Sequence, residues 1–141
     1  MMKKEDLSAL LHEFLEVIYL FQKREEGLFG AGWQDIYLLK KLDDAGMMSV
    51  GMIAQYLRLP LFGASRMVTR LQNAGWVKKT QVKDNKRLVN VGITGAGKKL
   101  LTAVDNYQFK IISKNITVLK PAEIESMISG LAKLRLLLDI K

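Results

Sequence analysis

Residues 49–77, SVGMIAQYLRLPLFGASRMVTRLQNAGWV, contain two helical patterns separated by only three residues. The first pattern spans Val50–Leu57 and the second spans about Leu61–Ala74. Apolar side chains recur every three or four positions in both, as expected where two helices pack against each other. Ser49 is placed to cap the first helix, and so short a connection is typical of a helix-turn-helix.

Two short runs rich in β-branched residues follow the helix pair, at Val77–Val82 and Leu88–Ile93. The charged residues 83–87 join them, and runs of this length around a polar turn favour a β-hairpin. A hairpin in this position is the wing of a winged helix-turn-helix. Because only these two strands are credible in the sequence, we predict a mainly α protein with a small β-hairpin wing.

Positive charge is concentrated in residues Arg58–Lys99, which we call the basic segment. It contains ten Lys and Arg side chains and one acidic side chain, Asp84. The other 99 residues hold twelve basic and thirteen acidic side chains, so the whole surplus lies in less than a third of the chain. Such a concentration indicates a polyanionic partner, which beside a helix-turn-helix is expected to be double-stranded DNA.

The composition removes several classes of function. The chain has no Cys and one His, which excludes disulfides and thiolate metal sites and argues against metal binding in general. Charged residues interrupt the apolar stretches before the roughly 18 residues that a membrane span requires. The N-terminus also lacks the pattern of a cleaved signal peptide. We therefore expect a cytoplasmic protein with no metal, no cofactor and no membrane partner.

One motif favours an enzyme instead. Gly92–Lys98, GITGAGK, has the glycine and lysine spacing of a phosphate-binding P-loop. That motif needs Ser or Thr after the lysine, but position 99 is Lys, and it also needs a parallel sheet around it. Because Thr94 is explained as the cap of a following helix, we expect no catalytic residues. A P-loop-like NTPase is the remote alternative.

Long helical patterns flank the winged part. Residues 5–26 carry apolar side chains at three- and four-residue spacing, over a wider face than one side of a small core needs. Thr94 is placed to cap a helix that reaches about Asn115, and Pro121 opens a last helix that carries apolar residues as far as Leu138. The breadth of the N-terminal apolar face indicates packing against a second subunit.

The order of these elements resembles that of the MarR family, the multiple antibiotic resistance regulators, over nearly the whole chain. The resemblance rests on SRMVTRL at 65–71, on GWV at 75–77, and on Lys86-Arg87 seven residues before Ile93-Thr94. It implies a triangular homodimer whose first and last helices interleave. It also implies that the recognition helices enter adjacent major grooves of DNA and that the wings reach minor grooves.

The same resemblance implies that residues 1–141 form a single unit whose parts have different roles. Residues 33–95 are expected to form the DNA-binding part, and residues 5–26 and 96–140 the helical dimerisation part. Family members often bind aromatic ligands between these parts, so a small aromatic ligand is a further candidate partner. The candidate contacts for this ligand are the aromatic residues Trp33, Tyr37, Trp76 and Tyr107. Aromatic residues more often belong to a core.

The chain departs from the family pattern in two places. Asn85 stands directly before the basic pair of the wing tip, where the family usually has Asp. Arg58 occupies the turn of the helix pair, where Gly is frequent, and Leu61 and Phe62 open the second helix where polar residues are more usual. Because of these departures the family's base preference does not carry over. Leu61 and Phe62 could contact thymine methyl groups, but we expect them to close the corner between the helices.

The predicted DNA-binding residues lie on the second helix of the pair and at the wing tip. Arginine binds guanine through two hydrogen bonds or holds a phosphate, and a charged hairpin tip suits the negative potential of a narrow minor groove. For Arg70, one turn beyond Arg66, a phosphate contact or a solvated charge is as expected as a base contact. The set comprises Ser65, Arg66, Thr69, Arg70, Lys83, Lys86 and Arg87.

The resulting hypothesis is a non-enzymatic transcription regulator that binds a pseudo-palindromic operator as a homodimer. Repression, relieved by a small ligand, is favoured by the family resemblance alone. The alternative is a winged-helix module that binds DNA without sequence preference, RNA or another protein. A steep salt dependence of binding without any preference between sites would favour this alternative.

Overall fold

The first helix is longer than the sequence pattern predicts. A computed structural model describes residues 1–82 and 84–141, and for residues 85–87 it describes the backbone only. Helix α1 spans Lys4–Phe29 and ends at Gly30, whose left-handed backbone (φ 73°) closes the last turn. Much of its apolar face, including Leu10 and Phe14, is exposed. Among the described helices none, α1 included, is both long and apolar enough to cross a membrane.

The helix-turn-helix forms as predicted. Helix α2 (Trp33–Ala45) leads into α3 (Val50–Leu57), whose N-terminus is capped by a hydrogen bond from the Met52 N–H to Ser49 Oγ (3.1 Å). Helix α4 (Leu61–Asn73) follows. Arg58 terminates α3 in the left-handed region (φ 55°), a conformation that most side chains avoid, so the tight turn is held by its surroundings.

Three strands, rather than the two expected, form the sheet. Strands β2 (Val77–Val82) and β3 (Asn85–Ile93) make the predicted hairpin, although β3 begins three residues earlier than its sequence pattern indicates. Strand β1 (Met47–Ser49) pairs antiparallel with β3, which gives the order β1-β3-β2. The sequence missed β1 because three residues are too few to show an alternating pattern. The connection between α2 and α3 is therefore bonded to the base of the wing.

The buried core joins the three central helices to the sheet and to the start of the next helix, α5 (Gly95–Asn115). Of the side chains that α3 and α4 were expected to bury against each other, Ile53, Val68 and Leu71 are fully buried, and Leu57 is partly buried. Burying each such side chain contributes roughly 1.5 to 3 kcal/mol. The largest fully buried side chains are Leu38, Leu39, Leu42, Ile53, Leu71, Val68, Val91 and Val104.

The chain divides into two compact units, residues 1–105 and 106–141, with the boundary inside α5. In the second unit a single 3-10 turn at Ile116–Val118 precedes α6 (Pro121–Ala132) and α7 (Leu134–Leu137). The expectation of one continuous last helix was wrong. At the break the N–H of Lys133 bonds to the carbonyl of Gly130, three residues back, so the helix tightens and ends there. The predicted dimerisation role of these helices stays a prediction.

Thr94 and Gly97 fix the start of α5 against the sheet. Thr94 Oγ1 accepts a hydrogen bond from the Gly97 N–H (3.1 Å), as the predicted helix cap, and donates one to the Gly75 carbonyl (2.6 Å). A Cβ at Gly97 would overlap the Trp76 carbonyl oxygen and lie 2.6 Å from Ile93 Cγ1. Gly97 is therefore required by the close approach of the helix to the backbone of the sheet.

Gly97→Ala is expected to lower the free energy of unfolding by about 1 to 3 kcal/mol, because the added methyl group overpacks this contact. Gly95→Ala is the matched control, since it adds the same group in the same turn with no atom within 4 Å. Urea unfolding should show the control unchanged or slightly stabilised. Equal stability of the two variants would mean that the helix start adjusts freely and that the close approach is unimportant.

Candidate nucleic-acid interface

Helix α4 has one buried face and one exposed face. Its apolar residues at 64, 67, 68 and 71 are buried in the core. On the other side a stripe of exposed side chains at helical spacing, which we call the α4 stripe, comprises Phe62, Ser65, Arg66 and Thr69. Packing of the apolar face thus decides which side chains of α4 are presented to solvent.

Arg66 is the central charge of the α4 stripe. Its side chain is exposed and makes no hydrogen bond or ion pair within the part of the chain that the structure describes. Together with Ser65, Thr69, Arg70 and Asn73 it lines a shallow depression on the surface of α4. Four of the predicted DNA-binding residues are therefore on one accessible surface, with the Arg66 guanidinium available to a ligand.

The base of the wing is bonded to the same helix. Lys79 of β2 donates a hydrogen bond from Nζ to Thr69 Oγ1 (3.2 Å). This bond lowers the availability of the Thr69 hydroxyl to a ligand, but it places the Lys79 ammonium beside the α4 stripe. Lys79 thus contributes positive charge to the stripe.

Arg70 has a different environment from Arg66, although both lie on α4. Its two terminal nitrogens donate to the two oxygens of Asp35, with distances of 2.9 Å to Oδ2 and 2.5 Å to Oδ1. The hydrogen bond to Asp35 raises the pKa of the Arg70 guanidinium above its ordinary value, although partial burial opposes the shift. Arg70 is therefore a permanently charged partner of a residue on α2.

Acidic residues of α2 offset part of the basic segment. Arg70 is paired with Asp35, and Lys98 of α5 lies 3.8 Å from Asp43 in a second ion pair. Both acids precede the basic segment in sequence, so a count within the segment overestimates the charge that it presents. Among the described side chains of the segment, four exposed ones form no ion pair with an acid and provide its available positive charge: Arg66, Lys78, Lys79 and Lys99.

Leu61 and Phe62 do not close the corner between the helices, so this expectation was wrong. Their side chains are 62% and 67% exposed at the start of α4. The corner is occupied instead by Leu59, which packs against the core from the turn itself. Phe62 lies three and four residues before Ser65 and Arg66 and so extends the α4 stripe toward the helix N-terminus.

The predicted wing-tip contacts lie outside the described side chains. Lys83 is not described, and Lys86 and Arg87 are described only as backbone positions of β3. The hairpin register places Val82 opposite Asn85, with an irregularity beside Gln81. The DNA contacts assigned to Lys83, Lys86 and Arg87 remain predictions.

The aromatic residues proposed as ligand contacts separate into different environments. Trp33 stacks on Tyr37, with ring centroids 6.2 Å apart, and Tyr37 stacks on Tyr56 at 5.0 Å. Trp76 instead packs against the core, and Tyr107 belongs to the second unit. Trp33 also lines an open groove of about 600 Å³ that extends to Asp35 and Arg70. A ligand in contact with all four predicted aromatics stays a prediction.

The motif that favoured an enzyme has a structural explanation. Gly92 and Ile93 belong to β3, and all three strands of the sheet are antiparallel, whereas a P-loop needs a parallel sheet. Thr94 and Gly97 are engaged in the α5 junction. Among residues 1–82 and 84–141, no three His, Asp or Glu side chains come together as a metal site.

Asp35 is the residue of this region that sequence reasoning missed. It is a single acid in an otherwise ordinary helix start, and its partner is 35 residues away in sequence. The one local signal is its place three residues after Gly32, where a carboxylate can cap the helix N-terminus. Nothing in the sequence pattern indicates which basic residue the other oxygen would meet.

Comparisons with known proteins agree with this fold. The model of the MarR family matches residues 33–89. An uncharacterized HTH-type transcriptional regulator, YhjH of Bacillus subtilis (strain 168), is 36% identical over 66 residues, which are 47% of this chain. The match spans only 38% of the length of that relative.

Solved structures extend the likeness over the whole chain. FabT of Streptococcus pneumoniae, determined in complex with DNA, superposes with a TM-score of 0.76 at 16% identity, covering 99% of this chain and 100% of that one. AbsC of Streptomyces coelicolor, a MarR family transcriptional regulator, gives 0.68 at 18%, covering 100% and 99%. At sequence identities this low, the superpositions establish a shared fold and nothing further. Residues 33–89 therefore form a winged helix-turn-helix that matches the model of the MarR family, within a chain that has the fold of AbsC.

Proposed function

We propose that this chain is a transcription regulator that binds double-stranded DNA with sequence specificity. The observation that carries the proposal is the α4 stripe, an exposed helix face in which Arg66 is available for binding and Lys79 lies beside it. A recognition helix of a helix-turn-helix inserts such a face into the major groove, where arginine distinguishes guanine by two hydrogen bonds. The DNA complex of FabT, which has the same fold, supports DNA as the partner.

The proposed regulator acts as a homodimer. Apolar side chains are exposed on α1 and, in the second unit, on α6, where Ile128 and Leu131 are among them. Contiguous apolar surface on a folded protein usually marks an interface with another chain. Two copies related by a two-fold axis bind half-sites centred about one helical turn of DNA apart, which accounts for a pseudo-palindromic operator.

The regulatory consequence proposed is repression in the cytoplasm, by a protein without enzymatic activity. A dimer on an operator blocks access of the transcription machinery, and a small aromatic ligand in the groove beside Trp33 would relieve the block. Selection of bound duplexes from a random pool tests sequence specificity. Enrichment of a two-fold symmetric site supports the proposal, and salt-sensitive binding without enrichment favours a nonspecific module instead.

Arg66→Ala is expected to weaken binding to the selected duplex by about 1 to 3 kcal/mol, and binding to a scrambled duplex by less. The physical reason is the loss of a two-pronged hydrogen bond to a base edge. Lys110→Ala, which removes one exposed charge of α5 outside the basic segment, is the control. Equal losses on both duplexes in fluorescence anisotropy would identify Arg66 as a phosphate contact only.

Lys86→Ala and Arg87→Ala are expected to make the dependence of log Kd on log salt shallower by about one unit each, because each side chain displaces one counterion from DNA. Titrations at four salt concentrations measure these slopes, with Lys110→Ala, which removes a charge outside the basic segment, as the reference. A variant with an unaltered slope and affinity would remove its residue from the contact set.

Phe62→Ala is expected to reduce the preference for thymine at one position of the selected site, at a cost of about 1 kcal/mol in binding. An aromatic ring on a recognition helix contacts the thymine methyl group. Phe62→Leu, which keeps an apolar side chain, should retain most of the preference. Since the ring is exposed, unfolding should be unaffected in both variants. An unchanged selected sequence with Phe62→Ala would exclude a direct role in base recognition.

A further inference from the structure

The carboxylate of Asp35 connects two helices. Its side chain is only 5% exposed. Oδ2 accepts the N–H of Gly32 (3.0 Å), which caps the N-terminus of α2, and the same oxygen accepts a hydrogen bond from Arg70 of α4. Oδ1 accepts the second Arg70 nitrogen. One buried group is therefore shared between the start of α2 and the recognition helix.

The geometry of this contact restrains α4 more strongly than a point charge would. A guanidinium that donates in parallel to both oxygens of a carboxylate is fixed in distance and in plane. Arg70 is anchored at its own helix by the buried neighbours Val68 and Leu71. The pair therefore fixes both the rotation of α4 about its axis and its position along that axis, relative to the capped end of α2.

The rotation of α4 determines where Arg66 points. Arg66 and Arg70 are one turn apart, so a displacement of Arg70 turns Arg66 and the rest of the α4 stripe with it. Major-groove recognition requires hydrogen-bond geometry to within a few tenths of an ångström. Loss of the restraint on Arg70 would therefore degrade discrimination between sequences before it degraded attraction to the phosphate backbone.

We propose that Asp35 and Arg70 form a positioning pair that sets the recognition helix for specific binding, and that Arg70 acts through Asp35 instead of contacting DNA. The proposal rests on the proposed function and deepens it, because it assigns the two arginines of α4 different roles. Arg66 contacts the DNA and Arg70 orients Arg66. The proposal also adds to the binding machinery an acidic residue, which a search for DNA contacts would overlook.

A double-mutant cycle tests the pair. Asp35→Asn keeps an oxygen to cap α2 but removes the charge, and Arg70→Met keeps the aliphatic length but removes the guanidinium. The probes are the duplex that the wild-type protein enriches from a random pool and a scrambled duplex of the same composition. Each single variant should bind the selected duplex about tenfold more weakly, and the double variant no more weakly than the worse single.

Binding to the scrambled duplex should change by less than about threefold, and its salt slope should not change in Arg70→Met. A phosphate contact by Arg70 would instead make that slope shallower by about one. Additive losses in the cycle, or the shallower slope, would overturn the positioning role. Asp35→Asn combined with Arg66→Met is the matched control cycle, since Arg66 has the same charge on the same helix but no contact with Asp35.

Arg70→Lys separates positioning from simple charge. Lysine keeps the positive charge but cannot donate in parallel to both oxygens of Asp35. The positioning role predicts that Arg70→Lys loses selectivity like Arg70→Met, whereas a phosphate contact predicts that it binds like the wild type. Because Arg70→Met leaves a buried unpaired carboxylate, thermal unfolding is measured for every variant. If that variant does not fold, Arg70→Lys and the Asp35→Asn, Arg70→Met double variant decide the question.

Failure of the inference is distinguishable from failure of the proposed function. If the wild-type protein enriches no duplex and binds none, both are overturned. If it enriches a duplex and Arg66→Ala weakens that binding, but Asp35→Asn leaves the selectivity intact, only the positioning role is overturned.

Discussion

Burial of one side of α4 is the constraint on which the rest of the interface depends. Ala64, Val68 and Leu71 are completely buried in the core that α4 shares with the other central helices and the sheet, so the helix cannot rotate without exposing them to water. The cost of exposing even one such side chain is roughly 1.5 to 3 kcal/mol. The α4 stripe is exposed because the opposite face of the helix is buried. Apolar packing restrains the helix without directional bonds, and the Asp35–Arg70 pair adds a directional restraint.

Charge and packing serve different purposes in this region. The exposed ammonium and guanidinium groups provide attraction to phosphates that is largely independent of sequence and sensitive to salt. The contact of Asp35 with Arg70 and that of Asp43 with Lys98 consume two charges of the basic segment for internal structure. Under the proposed function, these two ion pairs lower the general affinity for a polyanion, but they fix the orientation of the elements expected to contact it.

The fold was predictable from sequence where the signal is local. The helix pair, the hairpin and the Thr94 cap each depend on a short periodic pattern or on a residue with a strong positional preference, and the structure confirms them. The third strand was not predictable, because Met47–Ser49 is too short to carry a pattern and acquires its conformation by pairing with β3. The end of α6 depends on hydrogen bonding near Gly130, which no apolar periodicity reports.

The candidate site was predictable in outline but not in its internal roles. Helical spacing placed Ser65, Arg66 and Thr69 on one face, since that requires only the geometry of a helix. The pairing of Arg70 depends on a tertiary contact with α2, and the exposure of Phe62 depends on Leu59 occupying the corner, so neither follows from composition or spacing.

The shared carboxylate of Asp35 also constrains how this sequence can evolve. A change at position 70 alone leaves the buried carboxylate of Asp35 without its counterpart, and a change at position 35 alone leaves the half-exposed guanidinium of Arg70 without its partner. Changes at the two positions are therefore expected to compensate each other. The stripe residues Phe62, Ser65 and Arg66 can change without a compensating change elsewhere, because their side chains lie outside the core. Under the proposed function, preference for DNA sequence can consequently diverge among descendants of this chain while the scaffold that presents α4 stays the same.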